Sequence, residues 1–596
     1  MKRTFLLAIL LSSYCFLSAQ TEKFNNNYIL LGRKYVGKQF YPINNELFKE
    51  YSVNGNRTNY ENESNKRRIQ LACLVIAELR GQAGEFIPDI INGLHYFENE
   101  IWWGIPAHYS FSEPRRDTQT VELVSAGTAS LVAWTIYSLH DKLEKAEHDI
   151  CQRMNKEIER RMLIPALQND YDWKRRTNNW NPWICSNWLT CIMLCEKDEE
   201  RKQKALQQIR KCMDIFYDNY PEDGGCDEGI SYWDRSVASF IDCCILWKMV
   251  TGEEFHINHS DAKLQAMVSY VYRLYIGDNA SVNFADAIPY PTLHPASAFL
   301  IGKYVNDSTL CKYSAYVAKN FNFENNPSRL FLTSGSFPDI GREILFLQHY
   351  EEFINTPAVE PLISDSWLPI SQVFSARDKN GLFIAAKGGN NNENHNHNDI
   401  GNYILYNNSN PVIIDIGVGT YTAQTFSSLR YELMNTRSAY HNVPLINGVE
   451  QREGAGYKAT DISYSADSSI ARFSLNIAEA YPSAAKVRSW QRTITMYRDS
   501  VIEIEEDINL KKNKGNTQLV FICYGQPTLS NDGTILWQTT KGNVLLHFNA
   551  DQLKPTVEKL RLQDQTLRNI WKDNLYRLAL KVISRKKKQV IRYTFK

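Results

Sequence analysis

Residues 492–508 read RTITMYRDSVIEIEEDI. Ile494 and Met496, then Ile502 and Ile504, alternate with polar residues. Successive side chains of a strand point to opposite faces, so this period of two predicts β-strands with one apolar face each. Working outward, nearly every segment from 380 to 596 fits a short antiparallel strand. The closing stretch NLYRLALKVISRKKKQVIRYTF (574–595) is expected to form a hairpin with a charged turn. Upstream the texture changes. RRIQLACLVIAELRGQ (67–82) and TVELVSAGTASLVAWTIYSLHDKLEKAEHDICQRM (120–154) space apolar residues by three and four, a helical pattern that holds from about residue 60 to 355. Runs of helices followed by runs of strands predict two bodies, an all-α domain at 20–365 and a β-sandwich-like domain at 366–596. The boundary falls near PAVEPLISDSWLP (357–369). No low-complexity linker separates them, so direct packing with a cleft between the domains is expected.

The chain has 596 residues, 43% of them apolar, which suits a large core and excludes disorder. A formal net charge of +1 gives no global pull towards nucleic acid or an anionic membrane, so any hold on a polyanion must be local. Aromatic residues make up 12%, with 13 Trp and 33 Tyr, a composition suited to stacking on sugar faces. The N-terminus MKRTFLLAILLSSYCFLSAQ has two early cations, a short apolar stretch and small residues before Gln20. It is read as a secretory signal peptide spanning 1–19, too short to cross a membrane. Cys15 lacks a convincing lipobox, so a periplasmic protein without a membrane span is expected. The cysteines beyond it lie in apolar helical stretches without a CxxC framework, and buried free thiols are the first expectation.

Three segments of the helical half combine aromatic and polar residues. EIWWGIPAHYSF (100–111) holds Trp102 and His108, NNWNPWICSNW (178–188) holds Asn179, Trp180 and Asn181, and DGGCDEGISYWDRS (223–236) holds Tyr232 and Trp233. Single tryptophans on helices are more often core than platform, but amides beside tryptophans at helix ends favour a binding groove. In the β half, NENHNHNDIGNY (392–403) sets His395 and His397 two residues apart. On an extended segment both would point the same way. His397, Asp415 and His441 form a plausible nitrogen/oxygen ligand set, although their spacings of 18 and 26 residues fit no short zinc motif.

The WGIPAH, NNWNPW, GGCDEGISYW, HNHNDIGNY and SAYHNVPLINGVEQ segments together resemble the heparinase II/III-like polysaccharide lyases, a group that also contains alginate and other uronate lyases. The resemblance implies an incomplete (α/α) toroid followed by an antiparallel β-sandwich, with an acidic polysaccharide as partner. It also implies cleavage by β-elimination, in which a base removes the C5 proton of a uronic acid, the bond to the C4 oxygen breaks, and an unsaturated uronate remains. The proton lies beside an ionised carboxylate, so a donor must neutralise that group as charge builds. Asn179 or Asn181 suits this. Histidine titrates near neutrality, so His395 is expected to accept a proton without a large shift. By resemblance, Tyr232 is the acid and possibly also the base, His395 is the base for one C5 epimer, and His397, Asp415 and His441 hold one structural zinc.

Trp102, His108, Trp180 and Trp233 are expected to contact sugar. Arg175, Arg176 and Arg430, with Arg115, Arg116, Lys174 and Arg235, are candidates for gripping sulfate or carboxylate. That favours heparan sulfate, while hyaluronan, chondroitin sulfate and alginate stay open. A monomer or homodimer is expected. Two other readings remain, a toroid glycoside hydrolase using Asp227 and Glu228, and a glycan-binding protein without catalysis. Some relatives use histidine at the carboxylate-binding position where this chain has asparagine.

Overall fold

The computed structural model describes residues 19–291, 293–322, 338–530 and 532–596. Most of the signal-peptide reading lies outside the described residues. Two compact units emerge. One comprises 1–220, 234–268 and 292–360, and the other comprises 221–233, 269–291 and 361–596. Thus 221–233 and 269–291, which fall inside the stretch read as one helical domain, belong by their contacts to the second unit. Among the described residues no helix is long and apolar enough to cross a membrane.

The first unit is helical. Leu123–Ser138 and Trp180–Cys195 are apolar on every face and buried nearly throughout, as helices at the centre of an α-domain must be. Glu122 caps the first of these, accepting hydrogen bonds from Val124 N and Ser125 N. Among the described residues no disulfide joins the cysteines, which are all buried except the half-buried Cys311.

The second unit is built on two eight-stranded antiparallel sheets among the described residues. Val487–Tyr497 and Val501–Leu510 pair as the alternation predicts, with Ile494 opposite Ile504 and Met496 opposite Ile502. All four are fully buried in the core between the sheets, each contributing on the order of 1.5–3 kcal/mol. The same inward parity also carries Arg492 and Glu506. They face each other as register partners, form a buried ion pair (2.7 Å), and share Glu506 with Trp490 Nε1 (2.6 Å) and Tyr593 OH (3.0 Å). Arg492 Nη1 then reaches Gly401 O (2.6 Å) and Asn442 O (2.8 Å). One guanidinium in the sandwich core therefore clamps the two loops that carry the histidine motifs.

The C-terminal hairpin does not form. Asn574–Val582 pairs with Leu553–Arg561 and Gln518–Cys523 in one sheet, whereas Lys588–Phe595 pairs with Val501–Leu510 and Gly542–Phe548 in the other. Each strand has an apolar face that a different sheet buries, and the charged turn crosses from sheet to sheet at the end of the sandwich.

Candidate active site

Tyr232 closes the short turn Ile230–Tyr232, directly after Gly229. Gly229 has φ +96°, and a Cβ there would stand 2.8 Å from Phe284 O, so the turn that presents the tyrosine requires glycine. The phenol lies 2.6 Å from Tyr421 OH and 3.5 Å from His395 Nδ1, with the Tyr232 and His395 rings 4.5 Å apart.

Asp286 is the hub of the cluster. One carboxylate oxygen meets His395 Nδ1 (2.7 Å), Tyr421 OH (3.0 Å) and Arg430 Nη2 (3.0 Å), and the other meets His397 Nε2 (3.0 Å). These bonds hold its carboxyl well below the usual range against the upward push of burial. The two histidines therefore converge on one carboxylate and not on a strand face. The extended reading of 392–403 fails at His395, whose φ is +56°, a conformation uncommon for non-glycine residues and concentrated at functional sites. His395 Nε2 faces Glu228 Oε1 at 3.3 Å. Burial alone would lower the ring's pKa, but the hydrogen bonds to Asp286 and Glu228 raise it to about 9. The unshifted, neutral histidine expected from sequence is thus replaced by an imidazolium held between two carboxylates. Burial, with the charges of Asp286 and Glu228, pushes the Tyr232 phenol well above 10 and keeps it protonated.

Beyond Asp286 lies the predicted ligand set. His397, Asp415 and His441 are fully buried, with one donor atom of each within 4.8 Å of the others. His397 Nε2 is held by Asp286, and its Nδ1 is buried without a partner. His441 Nε2 donates to Asn435 O (3.0 Å), which turns Nδ1 towards Asp415 Oδ2 (3.2 Å). A second hydrogen bond on each ring is how proteins fix the tautomer and orientation of metal-bound imidazole. Burial lowers the pKa of His397, as a neutral ligand requires. Asp415 is itself oriented by Asn402 Nδ2 (2.6 Å) and Gly417 N (2.7 Å). The donor set fits a divalent metal and leaves a further coordination position. The asparagines of the motif pin irregular backbone that would otherwise carry unpaired polar groups. Asn442 alone bonds Asn402, Tyr403 O, Ile414 O and Ile522 N.

Several sequence-derived sugar contacts are corrected. Trp102 is buried, stacked on Tyr109 (4.2 Å) with its Nε1 on Thr120 O, and Trp233 is buried as well, so neither offers a face. Arg430 is nine-tenths buried and spent on Asp286, Asn396 O and Thr425 O. Asn181 donates to Arg176 O and Cys212 O and bonds the Cys185 thiol, a structural amide inside its own unit. The helical unit does gather Asn179, His108, Trp180 and Arg176. The rings of His108 and Trp180 are 4.6 Å apart, Arg176 lies 4.6 Å over Trp180, and His108 Nδ1 meets Glu122 at 2.7 Å. Each arginine proposed to hold sulfate has a local acid, Arg175 with Asp170, Arg176 with Asp172, Arg115 with Asp117 and Arg116 with Glu157. Arg235 likewise has Asp234 and lies over Trp183, while Lys174 is bound by Asn169 O and Gln208. Asp227 accepts from Asn394 and Glu228 from His395, so the carboxylates of the hydrolase reading are bound to the histidine loop.

This cluster and the adjoining histidine and aspartate set are carried on one antiparallel sandwich, and the domain match over 372–570 supports an enzyme of the polysaccharide lyase class. Residues 372–570 match the family described as Heparinase II/III-like, C-terminal. This part of the chain is therefore similar to the C-terminal domain of the heparinase II/III-like proteins. Among solved structures, Heparinase III is similar at a TM-score of 0.63 and 13% identity, over 98% of this chain and 85% of that one. A mutant of heparan sulfate lyase HepC from Pedobacter heparinus is similar at a TM-score of 0.61 and 10% identity, over 100% and 88%. At such identities the likeness is one of fold, and it bears out the expected incomplete (α/α) toroid followed by an antiparallel β-sandwich. No curated protein matches the sequence.

Proposed function

We propose that the chain cleaves a uronic-acid-containing polysaccharide by β-elimination, with Tyr232, His395 and Asp286 as the working cluster. The observation that carries this reading is the shared carboxylate, since Asp286 accepts Nδ1–H of His395 at 2.7 Å and so aims Nε2 as the reacting nitrogen. Nε2 faces Glu228 Oε1 at 3.3 Å. Once Nε2 has released its proton to solvent, the neutral ring takes the C5 proton of the uronate. Electrons move into the C4–C5 bond, the C4–oxygen bond breaks, and Tyr232 gives the leaving oxygen its phenolic proton. The amide carried forward for the uronate carboxylate is Asn179, while Asn181 donates to the Arg176 and Cys212 carbonyls.

Heparan sulfate is the polymer placed first, on the strength of the family match at 372–570. Hyaluronan, chondroitin sulfate and alginate are the comparisons. Secretion to the periplasm through the N-terminal apolar segment completes the proposal. The test is ultraviolet absorbance of the unsaturated uronate while the protein is incubated with each polymer separately. A rise with heparan sulfate supports the reading, a rise with another polymer alone moves the substrate, and new reducing ends without absorbance overturn elimination in favour of hydrolysis.

One structural zinc is assigned to His397, Asp415 and His441. When bound, the ion cross-links the loops that carry these ligands and adds their binding free energy to the fold. Dialysis against a chelator is expected to lower the unfolding midpoint by about 5 °C or more, with recovery on adding zinc. Elemental analysis should find one equivalent in the native chain and far less in His441→Ala. An unchanged midpoint and no bound metal would remove zinc from the proposal.

A further inference from the structure

We propose that the end of the sandwich formed by 486, 511–514 and 585–588 is a second binding surface for an acidic polysaccharide, separate from the bond-breaking cluster. The stretches KKNK (511–514) and RKKK (585–588), with Lys486, put eight cations together in a chain whose formal charge is only +1. They form one surface because their backbones are tied. Lys511 N and Lys512 N donate to Lys486 O (2.7 and 3.3 Å), Leu510 N donates to Lys587 O (2.8 Å), and Arg585 Nη1 reaches Lys514 O (3.0 Å). Asn513 Nδ2 bridges Ser584 O and Lys586 O. All eight cationic side chains are exposed.

Two observations separate this surface from ordinary surface charge. First, among the described residues none of the eight is in an ion pair, whereas Arg115, Arg116, Arg175 and Arg176 of the helical unit are each matched by a local acid. Unpaired clustered cations repel one another and are relieved by a polyanion. Second, lysines often protect exposed sheet edges, but among the described residues Lys588–Phe595 and Gln518–Cys523 are interior strands of their sheets.

The partner is an acidic polysaccharide because of where the surface lies. Asn410–Ile413 runs towards the loops of the histidine cluster, and Gln518–Cys523 runs antiparallel to it, starting from that same end. The segment following His441 leads directly there. Leu445 bridges Gln518, and the Asn447 side chain bonds Ala485 O, Lys512 O and Lys514 N. A long anionic chain held here is kept at the end of the sandwich to which the cluster's loops lead. The choice of partner rests on the elimination reading, but the surface itself does not.

The test uses the full chain carrying Tyr232→Phe, so that polymer is not consumed, with and without the four substitutions K511Q, K512Q, K586Q and K587Q. Binding to immobilised long-chain heparan sulfate and alginate is expected to weaken at least tenfold and to lose much of its salt dependence. The same four positions changed to arginine should bind normally, which separates charge from misfolding. In the Tyr232-intact chain the four glutamines should leave cleavage of a short oligosaccharide unchanged and slow cleavage of long chains. Equal binding by both proteins overturns the proposal, as does a loss seen only with a single-stranded oligonucleotide or with anionic phospholipid vesicles. Binding lost as expected while no unsaturated uronate appears with any polymer overturns the lyase reading and leaves this surface standing.

Discussion

Tyr232→Phe is expected to lower kcat on the responsive polymer by about a thousandfold, with KM nearly unchanged and the fold intact. The magnitude is that of removing a positioned general acid, typically 10²–10⁴-fold. The phenol has a single productive task in the proposal, donation to the leaving oxygen, and burial with the charges of Asp286 and Glu228 keeps it in the donating form. Its partner Tyr421 sits 2.6 Å away and makes its own bond to Asp286, so the phenylalanine variant leaves the rest of the network connected. Steady-state measurement of unsaturated product decides the matter. A variant that keeps more than a tenth of the wild-type kcat would remove Tyr232 from the chemistry.

Asp286→Asn is expected to produce a loss of similar size together with a second defect. An amide cannot accept at both oxygens, so His395 loses the partner that fixes its tautomer, and His397 loses the bond that turns Nδ1 inward. Replacing the carboxylate that orients a catalytic histidine costs about 10³–10⁴-fold in kcat, and removing a hydrogen-bond partner of a metal ligand costs about 10–100-fold in metal affinity. Parallel measurement of kcat and of zinc retained against a competing chelator separates the two. If kcat falls while zinc affinity holds, Asp286 serves His395 alone. If neither falls, the hub is structural. His395 and the metal ligands are thus expected to share one positioning residue, which no pairwise reading of the motif HNHND supplies.

Much of this was legible in the residues. The alternation in 492–508 gave paired strands because inward side chains must meet across a single core, and Ile494 opposite Ile504 is that requirement realised. His397, Asp415 and His441 were grouped by resemblance to a family, since their spacings alone fit no short zinc motif, and the structure brings one donor atom of each within 4.8 Å of the others. The same alternation concealed Arg492 and Glu506, which occupy inward positions as a pair and are tolerated there only because each satisfies the other. Trp102 and Trp233 misled because a tryptophan in a motif and a tryptophan in a core are alike on paper. The tail misled because two adjacent strands with a charged turn look like a hairpin whether or not they share a sheet.

Local chemistry thus determined the two textures of the chain and the strand faces, since periodicity is a property of neighbouring residues, while the candidate acid, base and ligands came from resemblance. Tertiary structure alone decided that Asp286, from a segment of the chain without any motif, stands between His395 and His397, and that this proximity with Glu228 raises the His395 pKa to about 9. Charge–charge and hydrogen-bond energies depend on distances between atoms that are more than a hundred residues apart in sequence, and those distances exist only once the sandwich has closed over its core.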